Sequence, residues 1–390
     1  MLNHRMAVMT MVGACVAIGY AALTAGQRAV LRPGVDPTTF PYWHLKGEGW
    51  GRPAADATSA YFLSKDHRVL AIEGGTGAVR WQRTTGERGA NPNGATVLVS
   101  GQNVVVGDYD VFAFERATGA PRWRFVPADG YGAGIYLGDT TGGRIYAGSP
   151  AGRLYAIDGG SGAPRWTAVV ADDRRTVVYE PTADEDIVVA GYTVSTAPNG
   201  GGIVAVDATT GVERWRTAFP RPSNGSLGSN SAGNPLLVDD LVIAATGYGF
   251  IYAFDRADGS IRWSIPKLSG LPADYLVSPD FDFRPLARTG RTVFAGSLTG
   301  FLTAYNVDTR REVWRRAGPR YISIAFNISS DDQLVYAPYL GGSLVAFDAA
   351  TGAERWRTGD AAGAFSFLPL SAGHRLYVAS SASGFYALRR

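Results

Sequence analysis

Sulfur is almost missing from this 390-residue chain. Its one cysteine, Cys15, and its four methionines, Met1, Met6, Met9 and Met11, all precede the sixteenth residue. For everything after Cys15 this excludes disulfides, thiolate zinc sites, iron–sulfur clusters, C-x-x-C-H haem attachment and a blue-copper cysteine. Histidine is scarce as well: only His44, His67 and His374 follow, too scattered to form a His-based metal site. Net charge is +3 and no block of Lys/Arg is interleaved with aromatic residues, so a nucleic-acid partner is not expected. Long-range disorder is excluded by a 46% apolar content, which offsets the entropy of ordering. Fifty glycines and 12% aromatic residues suit one large all-β unit.

Charge is also absent from residues 6–26, MAVMTMVGACVAIGYAALTAG. As a helix this run would span about 31 Å, enough to cross a bilayer and longer than the apolar core of a cleaved signal peptide. An uncleaved signal anchor over residues 1–26 is the expectation, with cleavage near Ala25 or Gly26 as an alternative. Lipidation at Cys15 is another, since Val12-Gly13-Ala14-Cys15 is similar to a lipobox. Gly13, Ala17, Ala21 and Ala25 recur every four residues and would give a small-residue seam for a neighbouring membrane helix. Residues 27–41, with Pro33, Pro37 and Pro41, read as a semi-extended linker, and the folded body as 42–390.

A repeat fills that body. Trp81, Trp123, Trp166, Trp215, Trp263, Trp314 and Trp356 close seven versions of one phrase, among them RLYAIDGGSGAPRW and SLVAFDAATGAERW. Ten residues before each Trp stands Ala; eight before stands Asp, Glu or, once, Asn306; four before stands Gly, except for Arg310 in the sixth copy. Alternating apolar residues, a T-G or D-G turn and a returning strand make each phrase a hairpin. Two further short β runs precede each, which is the four-strand pattern of a propeller blade. An eighth copy reaches Ala387 and stops at Arg390, while Trp43 stands unmatched at the start of the body. Residues 41–46 are therefore expected to supply the outer strand of the last blade, with Trp50 as the competing residue, because a closed ring leaves no free edge.

The A-x-D-x-x-T-G-x-x-x-W phrase resembles the tryptophan-docking motif of the PQQ-like, quinoprotein-type eight-bladed β-propeller family, and the resemblance covers residues 42–390. It implies an all-β, eight-bladed propeller working outside the cytoplasm. Members include PQQ-dependent alcohol dehydrogenases, the propeller lipoprotein of the outer-membrane barrel-assembly machinery, and cofactor-free proteins, so fold alone does not set function. The dehydrogenases use an adjacent Cys pair against the quinone and a Ca²⁺ held by Glu and Asn beside a catalytic Asp. This chain has no Cys pair, and Asp280 and Asp282 of SPDFDF are its only weak candidates for a metal.

The expectation is a non-catalytic branch that binds no cofactor. It would be an accessory or scaffold subunit of a larger membrane-protein complex, held in the inner membrane by one pass with the propeller in the periplasm. The alternatives are a barrel-assembly-type outer-membrane lipoprotein, a soluble periplasmic protein after cleavage, and a PQQ-dependent dehydrogenase. A small-molecule ligand is not expected. Partner binding is assigned to the transmembrane seam and to three insertions, a hairpin extension at 192–202 and interblade linkers at 217–233 and 264–283, with Tyr192, Arg221, Asn224, Tyr275 and Phe281 as contact candidates. Trp43 and the seven repeat tryptophans are the structural docking residues. The Arg that precedes six of them is expected to form a charged belt that protects the blade rims.

Overall fold

The computed structural model describes residues 42–86, 96–128, 134–172, 176–194, 200–220, 234–246, 250–265, 283–297, 300–318, 328–339, 342–358 and 368–389. All lie in the second of two compact units, Val35–Arg390. Every element among them is a strand, and they pair into seven sheets. No helix among them is long and apolar enough to cross a membrane. The expected anchor, with Gly13, Ala17, Ala21 and Ala25, and the linker 27–41 lie outside the described residues.

Each phrase of the repeat occupies the two outer strands of a four-stranded antiparallel unit. In the third repeat the chain runs outward through Tyr136–Thr141, Arg144–Gly148, Arg153–Asp158 and Pro164–Val169. The first two repeats form one eight-stranded sheet because their innermost strands, Gly49–Ala55 and Thr96–Ser100, touch in a single parallel pair, Arg52 with Thr96. Trp50 belongs to that first innermost strand and faces Leu63 in register. The chain ends meet in another sheet. Trp43–Leu45 pairs with Gly384–Arg389, Trp43 opposite Ala387, and the Tyr42 amide donates to the Ala387 carbonyl at 2.7 Å.

The core is a succession of apolar clusters, each shared by two consecutive four-stranded units. Trp43, Phe62, Ile72, Tyr377 and Phe385 join the last unit to the first. Tyr61, Trp81, Val106 and Phe114 join the first to the second. The series continues around to Tyr336, Leu344, Leu376 and Leu388, which join the seventh to the last. Each large apolar side chain buried this way stabilises its seam by about 1.5–3 kcal/mol.

The repeat Trp stands directly opposite the repeat Ala in the ladder, as Trp81 does to Ala71 and Trp215 to Ala205. Its indole, however, leans onto the turn of the following repeat. The Trp81 ring covers Gly119 and its Nε1 donates to the Arg116 carbonyl at 3.0 Å. Trp43, Trp123, Trp166, Trp215 and Trp314 sit likewise on Gly77, Gly162, Gly211, Gly259 and Gly352, and each donates to a carbonyl beside that turn. These glycines are left-handed, with φ between 68° and 78°, and a Cβ on any of them would lie within 2.7 Å of the indole. Glycine is thus required twice over, by conformation and by contact. Trp263 has no such seat: the next turn carries Arg310 at φ 58°, and the indole is only half-buried. Trp356 faces the last repeat, and it too is half-buried.

Candidate functional site

Innermost strands line a propeller's centre, and in the first, third and fourth repeats these strands or their bends contribute charge. Arg52 lies on Gly49–Ala55, Asp139 on Tyr136–Thr141, and Glu180 in the bend between Thr176–Val178 and Thr182–Ala183. Two strands can come this close because glycine stands at the crossing. A Cβ on Gly138 would lie 1.8 Å from the Pro181 carbonyl oxygen, and one on Gly148 2.4 Å from that of Tyr179. The Asp139 amide donates to the Pro181 carbonyl, and the Ala183 amide donates to the Asp139 carboxylate, both at 3.1 Å. Tyr136 and Tyr179 bring their rings to 5.7 Å.

Desolvation dominates the electrostatics of this cluster. It pushes the Glu180 carboxyl up to about 7, against the weaker pull of Arg52. Burial raises Asp139 too, with Arg52 and the Ala183 amide opposing. Tyr136 is raised by burial and then by the nearby Glu180 charge. The cluster can therefore hold or release a proton near neutrality.

A second polar junction lies at the opposite end from the T-G turns, between the first and second units. His67 takes a left-handed backbone, φ 62°, in the turn between Ser59–Ser64 and Arg68–Glu73. Its Nδ1 lies 2.7 Å from Asp108 Oδ2, which also accepts from Thr85 Oγ1 at 2.7 Å. The Thr85 amide donates to the His67 carbonyl, and the Ile135 amide to that of Asp108. The junction thereby ties three successive repeats. Nε2 of His67 is buried without a partner.

The arginines before the docking tryptophans are paired within their own repeats. Arg80, Arg122, Arg165, Arg214, Arg262 and Arg355 each turn back to the acidic residue seven positions earlier: Glu73, Glu115, Asp158, Asp207, Asp255 and Asp348. The reason is ladder geometry, since the paired outer strands bring the two side chains to the same end of the hairpin. These bonds hold Asp158, Asp207 and Asp348 below the usual carboxylate range, the arginine contributing most in each case.

Tyr192, a candidate partner contact in the expected hairpin extension 192–202, lies within the strand Ile187–Val194, which pairs with Gly200–Asp207 as a long hairpin. Its ring is buried between Gly202 and the Arg216 guanidinium, whose centre stands 5.6 Å away. Arg221, Asn224, Tyr275, Asp280, Phe281 and Asp282 lie outside the described residues. Among the described residues no three His, Cys, Asp or Glu side chains converge to hold a metal. The axial acids do not fit a calcium–quinone centre, since Asp139 is turned onto a backbone amide and no third acid or histidine joins it and Glu180 among the described residues.

A family model described as "Outer membrane protein assembly factor BamB" matches the chain over residues 34–190, 107–320 and 298–390. The outer membrane protein assembly factor BamB of Bordetella pertussis is 24% identical over 283 residues, 71% of this chain and 67% of that protein. Among solved structures, BamB from Moraxella catarrhalis is similar with a TM-score of 0.67 at 19% identity, covering 89% of this chain and all of that one. A europium-containing methanol dehydrogenase is similar with a TM-score of 0.69 at 13% identity, covering 88% of this chain and 85% of that one. At such identities the structural likeness speaks for the fold, an all-β propeller.

Proposed function

The chain belongs to the outer membrane protein assembly factor BamB family, and from that premise we propose that it is a non-catalytic, partner-binding propeller serving an envelope complex that assembles membrane proteins. The observation that carries this reading is the family match across the whole repeat region, 34–390. The polar chemistry agrees with a scaffold: the rim arginines are paired within their own repeats, and the His67–Asp108 junction ties repeats together. Eight blades are proposed for the ring, the last one completed by the Trp43–Leu45 strand; the unbroken series of shared apolar clusters supports this count. Residues 1–26 are proposed as the membrane attachment, by an anchor or by a lipid on Cys15, and the segments 217–233 and 264–283, with Arg221, Asn224, Tyr275 and Phe281, as partner contacts.

Gentle detergent extraction, native gels and cross-linking test the proposal. Co-migration with an assembly complex is expected, and migration as a free monomer overturns it. Intact mass of the extracted protein separates the attachments: an unprocessed chain means an anchor, a start at Gly26 or Gln27 means cleavage, and an adduct on Cys15 means a lipoprotein. The dehydrogenase alternative is tested by incubation with PQQ and Ca²⁺. No turnover is expected; activity that survives dialysis and is abolished by Asp280→Ala or Asp282→Ala would replace the scaffold reading.

A further inference from the structure

On the face that carries the T-G turns, two seams between repeats are bridged by an arginine just after the repeat's acidic residue. Arg116 reaches back to Asp56 at 3.5 Å, and Arg256 to Asp184 at 2.7 Å, each from the residue after the repeat's acidic position. That position is Gly74 in the first repeat and Gly159 in the third, and at these two seams the surface opens into clefts. The cleft at the Gly159 seam holds Arg122, already spent on Glu115.

The other cleft, about 290 Å³, lies where the chain's last unit meets its first. Its walls carry Asp56, His374, Arg375 and Tyr377, and its floor is kept low by Ala372 and Gly373. The Asp56 carboxylate is already satisfied by the amides of Thr58 and Ser59, at 2.8 and 2.9 Å, by the Tyr61 hydroxyl at 2.7 Å and by Arg116. Arg375 has no carboxylate partner among the described residues: its guanidinium stands 5.2 Å from the centre of the Tyr42 ring, its Nε is buried without a partner, and it hydrogen-bonds the Tyr377 side chain. His374, edge-on to the same ring at 5.7 Å, is exposed at the mouth.

We propose that this cleft binds a carboxylate presented by a partner polypeptide, from an Asp or Glu side chain or a free C-terminus. The Arg375 fork would take it, Tyr42 would hold the guanidinium plane, and His374 would add a second donor when protonated. Only the polypeptide source rests on the scaffold reading. Because peptide binding is measured directly, failure here leaves that reading standing, and a free monomer on native gels leaves the cleft untouched.

The test is titration calorimetry on the full-length protein in detergent with three peptides. Acetyl-Ala-Glu-Glu-Ala-amide carries acidic side chains alone, acetyl-Ala-Gln-Gln-Ala carries a free terminus alone, and its amide carries no charge. One or both charged peptides should bind saturably at one site, and the neutral one should not. Arg375→Ala should weaken binding about tenfold or more, and Arg375→Lys less, since an ammonium lacks the planar fork. Gly373→Asp gives a second route: at φ 60°, with open space around a Cβ, it would place a competing carboxylate at the cleft while keeping Arg375. Equal binding of the neutral peptide, no binding of either charged peptide at millimolar concentration, or undiminished affinity in folded Arg375→Ala and Gly373→Asp would each overturn the proposal.

Discussion

Replacing Gly211 by alanine should cost far more than replacing Gly101, although both glycines are left-handed, at φ 72° and 58°. The Gly101 site is open, with nothing within 4 Å of an added Cβ. There the change carries only the conformational cost of about 1–2 kcal/mol, reduced by about 0.4–1 kcal/mol because alanine restricts the unfolded chain. At Gly211 the new methyl would lie 2.6 Å from Trp166 Cδ2 and 2.7 Å from Cε3, so the indole must move. It is buried against Tyr146, ring centres 5.9 Å apart, and its Nε1 donates to the Ala208 carbonyl at 3.1 Å. Overpacking adds about 1–3 kcal/mol, and a weakened bond about 1 kcal/mol. The expected totals are about 1 kcal/mol for Gly101→Ala and about 4 kcal/mol for Gly211→Ala. Urea unfolding followed by tryptophan fluorescence, with midpoint and slope fitted together, measures both. Equal losses would refute the claim that the repeat glycine protects the indole seat as well as the turn conformation.

Glu180 should make the protein less stable as pH rises. Its folded state binds the proton more tightly, so the stability is full below the ordinary 4.5 and is lost as pH climbs to about 7, at most about 3 kcal/mol; melting from pH 4.5 to 8 should show this slope in the wild type and a flatter one in Glu180→Gln. Arg165→Ala should change stability by less than about 1 kcal/mol, because that guanidinium is 58% exposed and its pair with Asp158 is screened; a larger loss in urea would mean the rim pairs carry the fold. Asp108→Ala should cost about 2–4 kcal/mol by stripping His67 Nδ1 and Thr85 Oγ1 of their acceptor, whereas a loss near zero would mean the junction is bridged by water. Removing residues 1–46 deletes the Trp43–Leu45 strand and bares the edge of Gly384–Arg389, so thermal unfolding should shift down and broaden; an unchanged transition would refute its part in closure.

The register of the repeat made the hairpins legible, because Ala and Trp recur where a strand ladder sets them opposite each other. Where the indole goes was not legible from one phrase, since it docks on the next phrase's turn and the glycine there already had a local reason to exist. The pairing of the rim arginines was hidden for a similar reason. Alternation points them outward, but it is silent on what lies seven residues back along the hairpin. The sixth repeat held the missing signal: it loses the acid, as Asn306, and the arginine, as Val313, together, and Val313 is left 49% exposed. A pair that disappears as a pair is a contact. The axial cluster offers no such clue. Arg52 and Asp139 stand in innermost strands and Glu180 in a bend beside one, none of them in a repeated phrase, and Asp139 meets the Glu180 bend where Gly138 lets the two backbones approach. Periodicity reports what each repeat does alike, so a site built from the differences between repeats has to be found in space.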